Sequence, residues 1–337
     1  RDDVESRGLG DVYKRQVICC GGAEANETLL KMVKIAAYRT KKGKSRILST
    51  HNSFHGKTQA TVNLGGKDKW RMYQGEPLPG YCHIPYGDWR AAEEEMKKGD
   101  IIAFFCEPIQ GEGGINVPPD DYLPKMRELC TKYDVYFCLD EVQAGSCRTG
   151  YLWAHQYYGD LAKPDALSFA KAMSASLVPV GGVLASEELY MAAYGSDETA
   201  FFHTATYQDN QLSGICAMAA LEFMLEADVP GTIRKNAPYF WDGLYKLKEK
   251  YPTVIKDVRG RGYMVGIEYG QNKQGDYYTV EVCKHMSVVG HVSTMFTINN
   301  DAVCRIYPNY WATREDFDWA LGALDNACAY VLSTMGE

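Results

Sequence analysis

Residues 135–143 read Val-Tyr-Phe-Cys-Leu-Asp-Glu-Val-Gln, a run of five apolar residues that ends in two acids. An apolar run without polar alternation predicts a strand buried on both faces, as in a parallel sheet. Asp140 stands at the carboxyl end of this strand, and in open α/β sheets ligands bind at that end. The stretch therefore predicts an α/β fold with a ligand site beside Asp140.

A second stretch, residues 168–171, reads Ser-Phe-Ala-Lys and closes another short apolar run, residues 166–170. An acid and an amine at neighbouring strand ends suit pyridoxal 5'-phosphate (PLP), because the amine forms a Schiff base with its aldehyde and the acid pairs with its pyridine nitrogen. Alone, the pair Asp140 and Lys171 is weak support, since a strand-end aspartate is more often a cap or a surface residue.

Short apolar runs alternate with helical segments from Val17 to about Leu225, a pattern typical of βαβ units and a mostly parallel sheet flanked by helices. We predict a large domain over residues 17–225. The expected strands are residues 17–20, 46–49, 101–107, 136–140, 166–170 and 181–185. The helix from Leu212 is rich in apolar residues, so we expect it to be buried.

After Pro230 a more polar helix over residues 233–251 leads to a region with strands at 263–269 and 303–307 and a final helix from Glu315. We interpret residues 226–337 as a smaller C-terminal α/β domain. Residues 1–16 are polar and aperiodic, and we expect them not to be native sequence, since they resemble a translated sequencing adapter. A disordered leader is the alternative.

Composition excludes several classes of protein. The chain has 337 residues, is 46% hydrophobic and has a net charge of −7, and no long cluster of lysine and arginine predicts a nucleic-acid surface. We expect no membrane span, because no run of about 18 apolar residues occurs. Eleven scattered cysteines without a CxxC pair predict a reducing, cytoplasmic location and no metal site.

The sequence Gly21-Gly22-Ala23-Glu24 lies between a strand and a helix. Glycine permits a close backbone approach, and a helix N-terminus offers free N–H groups and partial positive charge. The segment could therefore bind phosphate, although a tight turn without a ligand is the simpler interpretation. It lacks the GxGxxG and GKS/GKT spacings, so dinucleotide and P-loop sites are disfavoured.

Read together, six motifs occur in a characteristic order. They are residues 21–27 (GGAEANE), 54–58 (FHGKT), 107–114 (EPIQGEGG), 140–143 with 148–150 (DEVQ, RTG), 164–165 with 170–171 (PD, AK) and 258–262 (VRGRG). In this order the chain resembles the class III aminotransferases, the PLP-dependent fold type I group that includes ornithine, acetylornithine and 4-aminobutyrate aminotransferases. The resemblance runs from about Val17 to the C-terminus.

The resemblance implies roles for residues around the cofactor ring. Lys171 would be the Schiff-base lysine and the base that moves a proton between the substrate carbon and the cofactor. Asp140 would keep the pyridine nitrogen protonated, and Gln143 would bind the ring's 3′ oxygen. Phe54 would stack on the ring, with a core aromatic as the alternative. Glu107 would support hydrogen bonds on the cofactor side or be structural.

The resemblance also implies a shared phosphate site. The amides of Gly22 and Ala23 would bind the cofactor phosphate. Thr206 matches a threonine that the family sends across a dimer interface to the partner's phosphate. We therefore expect a homodimer with active sites at the interface.

Two charged residues match the substrate-binding positions of the family. Arg305 would bind the α-carboxylate of an amino or keto acid, for which a bidentate guanidinium is suited. A surface arginine on an edge strand is the alternative. Glu112 matches a gate residue that pairs with that arginine when the amine donor lacks a carboxylate there. Together they imply an ω-amine donor and a keto acid such as 2-oxoglutarate.

The chain departs from the family pattern at several places. Lys57 replaces an arginine, residues 208–211 replace the usual Gly-Asn-Pro, and residues 172–176 lack the usual glycines. The resemblance implies a sizeable N-terminal segment before the phosphate loop, which completes the small domain and lines the substrate pocket. Without that segment, poor PLP binding or no catalysis is one interpretation for the chain given.

The sequence thus predicts a PLP-dependent aminotransferase that works by a ping-pong mechanism. One alternative is another class III PLP enzyme: an aminomutase, racemase or decarboxylase. The other is a non-catalytic fragment or scaffold that keeps the fold and the dimer surface.

Overall fold

The computed structural model describes residues 15–41 and 43–335, and their contacts divide them into two compact units. Unit 1 contains the described residues up to Pro108, together with Pro118–Ser146 and Trp153–Met224. Unit 2 contains Ile109–Val117, Cys147–Leu152 and the described residues from Leu225 onward. Most of the expected leader, residues 1–14, lies outside the described residues.

Unit 1 is built on a seven-stranded sheet. Its strands are β1 (Arg15–Cys19), β2 (Arg46–Thr50), β3 (Tyr81–Ile84), β4 (Ile101–Cys106), β5 (Tyr136–Asp140), β6 (Ala166–Ala170) and β7 (Gly181–Ala185). Their order in the sheet is β1-β7-β6-β5-β4-β2-β3. The five strands from β6 to β3 run parallel to one another. Strand β7 runs antiparallel to both of its neighbours, β6 and β1. The mostly parallel sheet predicted from the sequence is therefore confirmed.

The first strand begins earlier than the sequence predicts. Arg15 and Gln16, which we assigned to a leader, pair with Ala185 and Leu184 of β7. Arg15 also forms an ion pair with Glu187 at 2.7 Å. These two residues are thus part of the sheet.

Helices cover the sheet of unit 1. They are α1 (Gly22–Thr40), α2 (Gln59–Leu64), α3 (Trp89–Met96), α4 (Tyr122–Lys132), α5 (Glu187–Tyr194) and α6 (Gln211–Glu226). Helix α1 packs its apolar face into the main core, where Leu29, Met32 and Val33 are fully buried. Because α1 directly follows β1, its N-terminus lies where the strand ends.

Helix α6 differs from the prediction that it is buried. Its side chains Ser213, Ala220 and Met224 are buried, but four large apolar residues are exposed within unit 1. They are Leu212 (60%), Ile215 (64%), Met218 (62%) and Phe223 (57%). Apolar residues lie on two opposite faces of the helix, and only one of these faces is buried within unit 1.

Unit 2 is built on a four-stranded antiparallel sheet in the order β10-β11-β9-β8. Its strands are β8 (Ile255–Arg261), β9 (Met264–Tyr269), β10 (Met295–Phe296) and β11 (Val303–Ile306). Its helices are α7 (Val229–Lys250), α8 (Thr279–Val288) and α9 (Arg314–Met335). Among the described residues, no helix has the length and apolar character of a membrane span.

Two short segments that we placed in the large domain belong to unit 2 by their contacts. In Ile109–Val117, the side chain of Ile115 packs so closely against Gly266 that a Cβ on the glycine would lie 2.6 Å from it. In Cys147–Leu152, the carbonyl of Arg148 accepts a hydrogen bond from Tyr263 N–H at 3.0 Å. These contacts place both segments in unit 2, although each lies in the sequence between stretches that belong to unit 1.

Candidate active site

Asp140 is the centre of a buried hydrogen-bond network at the carboxyl end of β5. Its carboxylate is 4% exposed and accepts bonds from His55 Nδ1 (2.8 Å), Asn26 Nδ2 (2.7 Å) and Val142 N–H (3.0 Å). Burial raises the pKa of Asp140, but the bond and charge of His55 and the other donors outweigh it and hold that pKa below its ordinary value. Asp140 is therefore a buried, ionised carboxylate.

Asn26 ties this network to two other elements. Its Nδ2 also donates to the carbonyl of His55 at 2.8 Å, and its Oδ1 accepts a bond from Ser168 Oγ at 2.6 Å. Ser168 lies directly opposite Asp140 on the neighbouring strand β6. The side chains that orient Asp140 thus come from α1, β6 and the loop after β2. Sequence reasoning missed Asn26 and His55, although both lie inside quoted motifs.

Lys171 follows β6 directly, so it lies at the same sheet edge as Asp140. Its φ of 56° is in the left-handed region, which is uncommon for a side chain other than glycine and costs about 1 to 3 kcal/mol. Such backbone strain clusters at functional sites. The chain turns sharply here into the short 3₁₀ helix Lys171–Ser174, and the lysine side chain is exposed.

The N-terminus of α1 is open to an anion. Gly21 precedes the helix without a side-chain cap, so the amides of Gly22 and Ala23 have no intrahelical acceptor. A Cβ added to Gly22 would lie 2.7 Å from Val142 Cγ1, whereas one added to Gly21 would meet nothing within 4 Å. The backbone of α1 therefore starts in close contact with the segment after Asp140, as a phosphate-binding turn requires.

Phe54 and Gln143, which the resemblance assigns to the cofactor ring, both belong to unit 1. Phe54 precedes His55 and is half-buried, and its N–H donates to Glu107 Oε1 at 3.0 Å. Glu107 directly follows β4 and is only 4% exposed. Because it accepts the Phe54 N–H, it holds the loop that carries Phe54 close to the end of β4. Gln143 is half-buried and lies three residues after Asp140.

In unit 2 the two expected substrate-binding residues form an ion pair, in which Arg305 donates from Nη1 to Glu112 Oε1. The second carboxylate oxygen of Glu112 accepts Ile298 N–H at 3.1 Å, and its carbonyl accepts Asn299 N–H at 3.0 Å. The guanidinium side chain of Arg305 is 24% exposed. Any other carboxylate that binds this arginine would therefore have to compete with Glu112.

Thr206 lies on an exposed turn between α5 and α6. The nearby aromatic residues Phe201, Phe202 and Tyr207 are also exposed, at 84%, 51% and 65%. Just before this turn, His203 Nε2 lies 3.2 Å from Thr28 Oγ1, so the segment is joined to α1.

The residues of unit 1 meet the three chemical needs of PLP. A phosphate needs free N–H donors, which the start of α1 offers. A pyridinium nitrogen needs an ionised acceptor, and Asp140 is held ionised although buried. The aldehyde needs a primary amine, and Lys171 lies at the adjacent strand end. The donor set therefore fits this cofactor.

Known proteins support the same interpretation. An uncharacterized aminotransferase of Schizosaccharomyces pombe is 44% identical over 326 residues, which are 95% of this chain and 67% of that protein. The ornithine aminotransferase of Toxoplasma gondii superposes with a TM-score of 0.87 at 28% identity, over 96% of this chain and 75% of its own. An (S)-enantioselective ω-transaminase of Thermomicrobium roseum superposes with a TM-score of 0.88 at 25% identity, over 98% of this chain and 78% of its own.

The family model of the class III aminotransferases matches residues 8–328, nearly the whole chain. The resemblance drawn from the six motifs is confirmed, as is the α/β fold with a second, smaller sheet. The fold, the relatives and the chemistry around Asp140 agree on the cofactor and the reaction type. The chain belongs to the class III aminotransferases, and it is a PLP-dependent aminotransferase of fold type I.

Proposed function

We propose that this aminotransferase takes its amino group from an ω-amine donor, of the ornithine or acetylornithine kind, and gives it to a keto acid such as 2-oxoglutarate. The pairing of Glu112 with Arg305 carries the proposal. A glutamate that neutralises the arginine suits a donor without a carboxylate at that position. When Glu112 withdraws, the same arginine can bind the carboxylate of the keto acid. The ornithine aminotransferase neighbours are consistent with such a donor.

The proposed cofactor residues are those of unit 1. Gly22 and Ala23 would donate N–H groups to the phosphate, Phe54 would stack on the ring and Gln143 would donate to the 3′ oxygen. PLP supplies an electron-withdrawing ring that stabilises negative charge on the substrate carbon. Asp140 would keep that ring protonated, because an ionised carboxylate in a buried site favours a positive charge beside it.

Lys171 has two proposed tasks. Its amine would hold the cofactor aldehyde between turnovers, and the free amine would serve as the base that moves a proton between the substrate carbon and the cofactor. The position directly after β6 favours both, since the strand end fixes the backbone at the sheet edge where Asp140 lies, and the long side chain is exposed. Proton transfer by a positioned base contributes roughly 10²- to 10⁴-fold to a rate.

We also propose that the active enzyme is a homodimer. The exposed face of α6, with Leu212, Ile215 and Met218, is apolar enough to mark an interface. Burying a Leu, Ile or Met side chain contributes about 1.5 to 3 kcal/mol each. Thr206, on the turn that leads to α6, would then reach the partner's phosphate site. Eleven free cysteines, eight of them buried, support a reducing, cytoplasmic location.

The test is to purify the chain with added PLP and record its visible spectrum before and after adding ornithine, with Lys171→Ala as control. We expect a yellow band that ornithine bleaches and that 2-oxoglutarate restores, with glutamate as a product, and no such band in the variant. Release of carbon dioxide or an inverted amino acid, without transfer to 2-oxoglutarate, would instead identify a decarboxylase or racemase. A protein without the band would refute the proposal for the chain given.

A further inference from the structure

Arg259 lies in β8, within the motif Val258-Arg259-Gly260-Arg261-Gly262, and none of the roles above uses it. Its Nε donates to the carbonyl of Gly114 at 2.9 Å. Gly114 lies 145 residues earlier in the chain and two residues after Glu112. The side chain of Arg259 thus contacts the segment that carries the glutamate of the Glu112–Arg305 pair.

That segment is a small closed loop. The backbones of Gln110 and Asn116 exchange two hydrogen bonds of 3.0 Å each, and Asn116 Nδ2 donates to the Gln110 side chain at 2.9 Å. Glu112 is two residues inside this closure. Inside the loop, the N–H groups of Gly114 and Ile115 both donate to the Gly111 carbonyl at 3.1 Å. Contacts to other elements of unit 2 then set where this hydrogen-bonded tip lies relative to the sheet.

Arg259 is well suited to fix the tip. Its Nη1 donates to Asp257 at 3.2 Å and to Glu268 at 2.5 Å, so the guanidinium is anchored on the sheet by two acids. The side chain is only 20% exposed. The planar guanidinium can bind those acids through one nitrogen and the Gly114 carbonyl through another, which a lysine ammonium cannot reproduce with the same geometry.

The contact at Gly114 is close. The residue has φ +119°, and a Cβ there would lie 2.9 Å from Asn300 Nδ2 and 3.3 Å from Arg259 Nη2. Asn300 follows directly on the residues whose N–H groups bind Glu112. Arg259 and the turn at 298–300 therefore pack on the tip of the loop together.

We propose that Arg259 is a positioning residue that fixes Glu112 in its pair with Arg305. This inference rests on the proposed role of that pair in choosing between donors. If the loop tip is released, Glu112 pairs less often with Arg305. The positive charge of Arg305 is then less often neutralised when an ω-amine donor binds. Its guanidinium is more often available to the carboxylate of glutamate.

The first test is hydrogen–deuterium exchange of the PLP-treated full chain. The variants are Arg259→Met, Arg259→Lys and, as a matched control on the same strand, Lys256→Met, which removes an exposed charge. We expect amides of residues 112–116 and 298–299 to exchange about tenfold faster in Arg259→Met, with a smaller effect in Arg259→Lys and none in the control. Unchanged exchange there in both Arg259 variants would overturn the proposal.

The second test measures each half-reaction from the cofactor absorbance, once with ornithine and once with glutamate. We expect the ratio of the two rate constants to fall about tenfold in Arg259→Met, in the direction of glutamate. Combined with Glu112→Gln, the substitution should add no further change, since both act through one interaction. Additive effects would contradict the proposal. If ornithine does not bleach the cofactor absorbance of the wild type, the proposed function is refuted. The hydrogen–deuterium exchange result would still decide whether Arg259 positions Glu112.

Discussion

The imidazole of His55 donates from Nδ1 to Asp140 Oδ2 over 2.8 Å, and the two side chains are 0% and 4% exposed. A carboxylate buried this deeply would take up a proton unless donors stabilised its charged form. His55 is the strongest of the groups that lower the pKa of Asp140. The charge of the Asp140 carboxylate therefore depends on a residue 85 positions earlier in the chain.

Replacing His55 by phenylalanine should weaken catalysis without unfolding unit 1. A hydrogen bond to a charged group is worth about 1.5 to 3 kcal/mol, so we expect kcat to fall about ten- to hundredfold. Affinity for PLP should fall as well, because Asp140 is charged less of the time. The matched control is His51→Phe, an exposed imidazole on the same loop. A kcat of His55→Phe within about twofold of the control would contradict this role.

The depressed pKa of Asp140 also predicts how stability depends on pH. Burial alone would raise this pKa, but His55, Val142 N–H and Asn26 hold it below 3.8 in the folded chain. The unfolded chain therefore binds the proton first as pH falls, and the contribution of Asp140 to stability is complete above about pH 4 to 5 and lost below.

This dependence can be measured by thermal unfolding of the wild type and Asp140→Asn between about pH 2.5 and 7. The wild type should melt higher at neutral pH, and the gap should close as pH falls through the folded pKa. Asp160→Asn, at an exposed position, is the control for the loss of a carboxylate in unit 1. A constant gap for Asp140→Asn would mean that the carboxylate is not stabilised as an anion.

The strands that the sequence predicts most clearly are those that are buried on both faces. In β4 and β6 every residue is buried, and in β5 all but the first, so their apolar runs are unbroken. Strand β3 has only one buried residue, β8 alternates with charges and β10 is exposed. Such strands are defined by backbone pairing, which leaves little trace in residue type.

The candidate site shows the same limit. Asp140, Lys171 and the glycines of α1 could be predicted because they belong to short, local patterns. Asn26 and His55 contact Asp140 from 114 and 85 residues away, and no spacing rule predicts such contacts. Helix α6 shows a further limit of prediction from sequence. Its apolar composition predicts that the helix is buried, but composition does not say which element or partner would cover it.

The start of α1 offers a test of the phosphate site with a neighbouring residue as control. In Gly22→Ala the new Cβ would lie 2.7 Å from Val142 Cγ1, so either the helix start or Val142 must move. Overpacking of this kind costs about 1 to 3 kcal/mol, and we expect PLP affinity to fall about five- to hundredfold in an absorbance titration.

Two further variants separate this effect from general damage. Gly21→Ala should bind PLP normally, because the backbone there is extended and the new Cβ meets nothing within 4 Å. Adding Val142→Ala to Gly22→Ala should restore most of the affinity, since it removes the methyl groups that the new Cβ meets. If Gly21→Ala and Gly22→Ala lose affinity equally, the close contact is not what shapes the site.

The exposed face of α6 predicts an oligomeric state that a single charge can disrupt. In a homodimer built on this face, Ile215→Lys would bury an unpaired ammonium, which costs several kcal/mol. We expect light scattering after size exclusion to give a dimer for the wild type and a monomer for the variant, with weaker PLP binding in the monomer. The control Tyr38→Lys, on an 87% exposed residue of α1, should stay dimeric. A dimeric Ile215→Lys would place the interface elsewhere.

Arg305→Lys tests which substrates use the guanidinium. Lysine keeps the charge but cannot offer two parallel N–H donors to a carboxylate, so we expect KM for 2-oxoglutarate to rise about ten- to hundredfold. The half-reaction with ornithine should change little, because that donor is proposed to leave Arg305 paired with Glu112. Arg314→Lys, at an exposed arginine at the start of α9, is the control for loss of a guanidinium in unit 2. Equal losses with ornithine and 2-oxoglutarate would mean that Arg305 supports both half-reactions alike, and a gate at Glu112 would then have no selective effect.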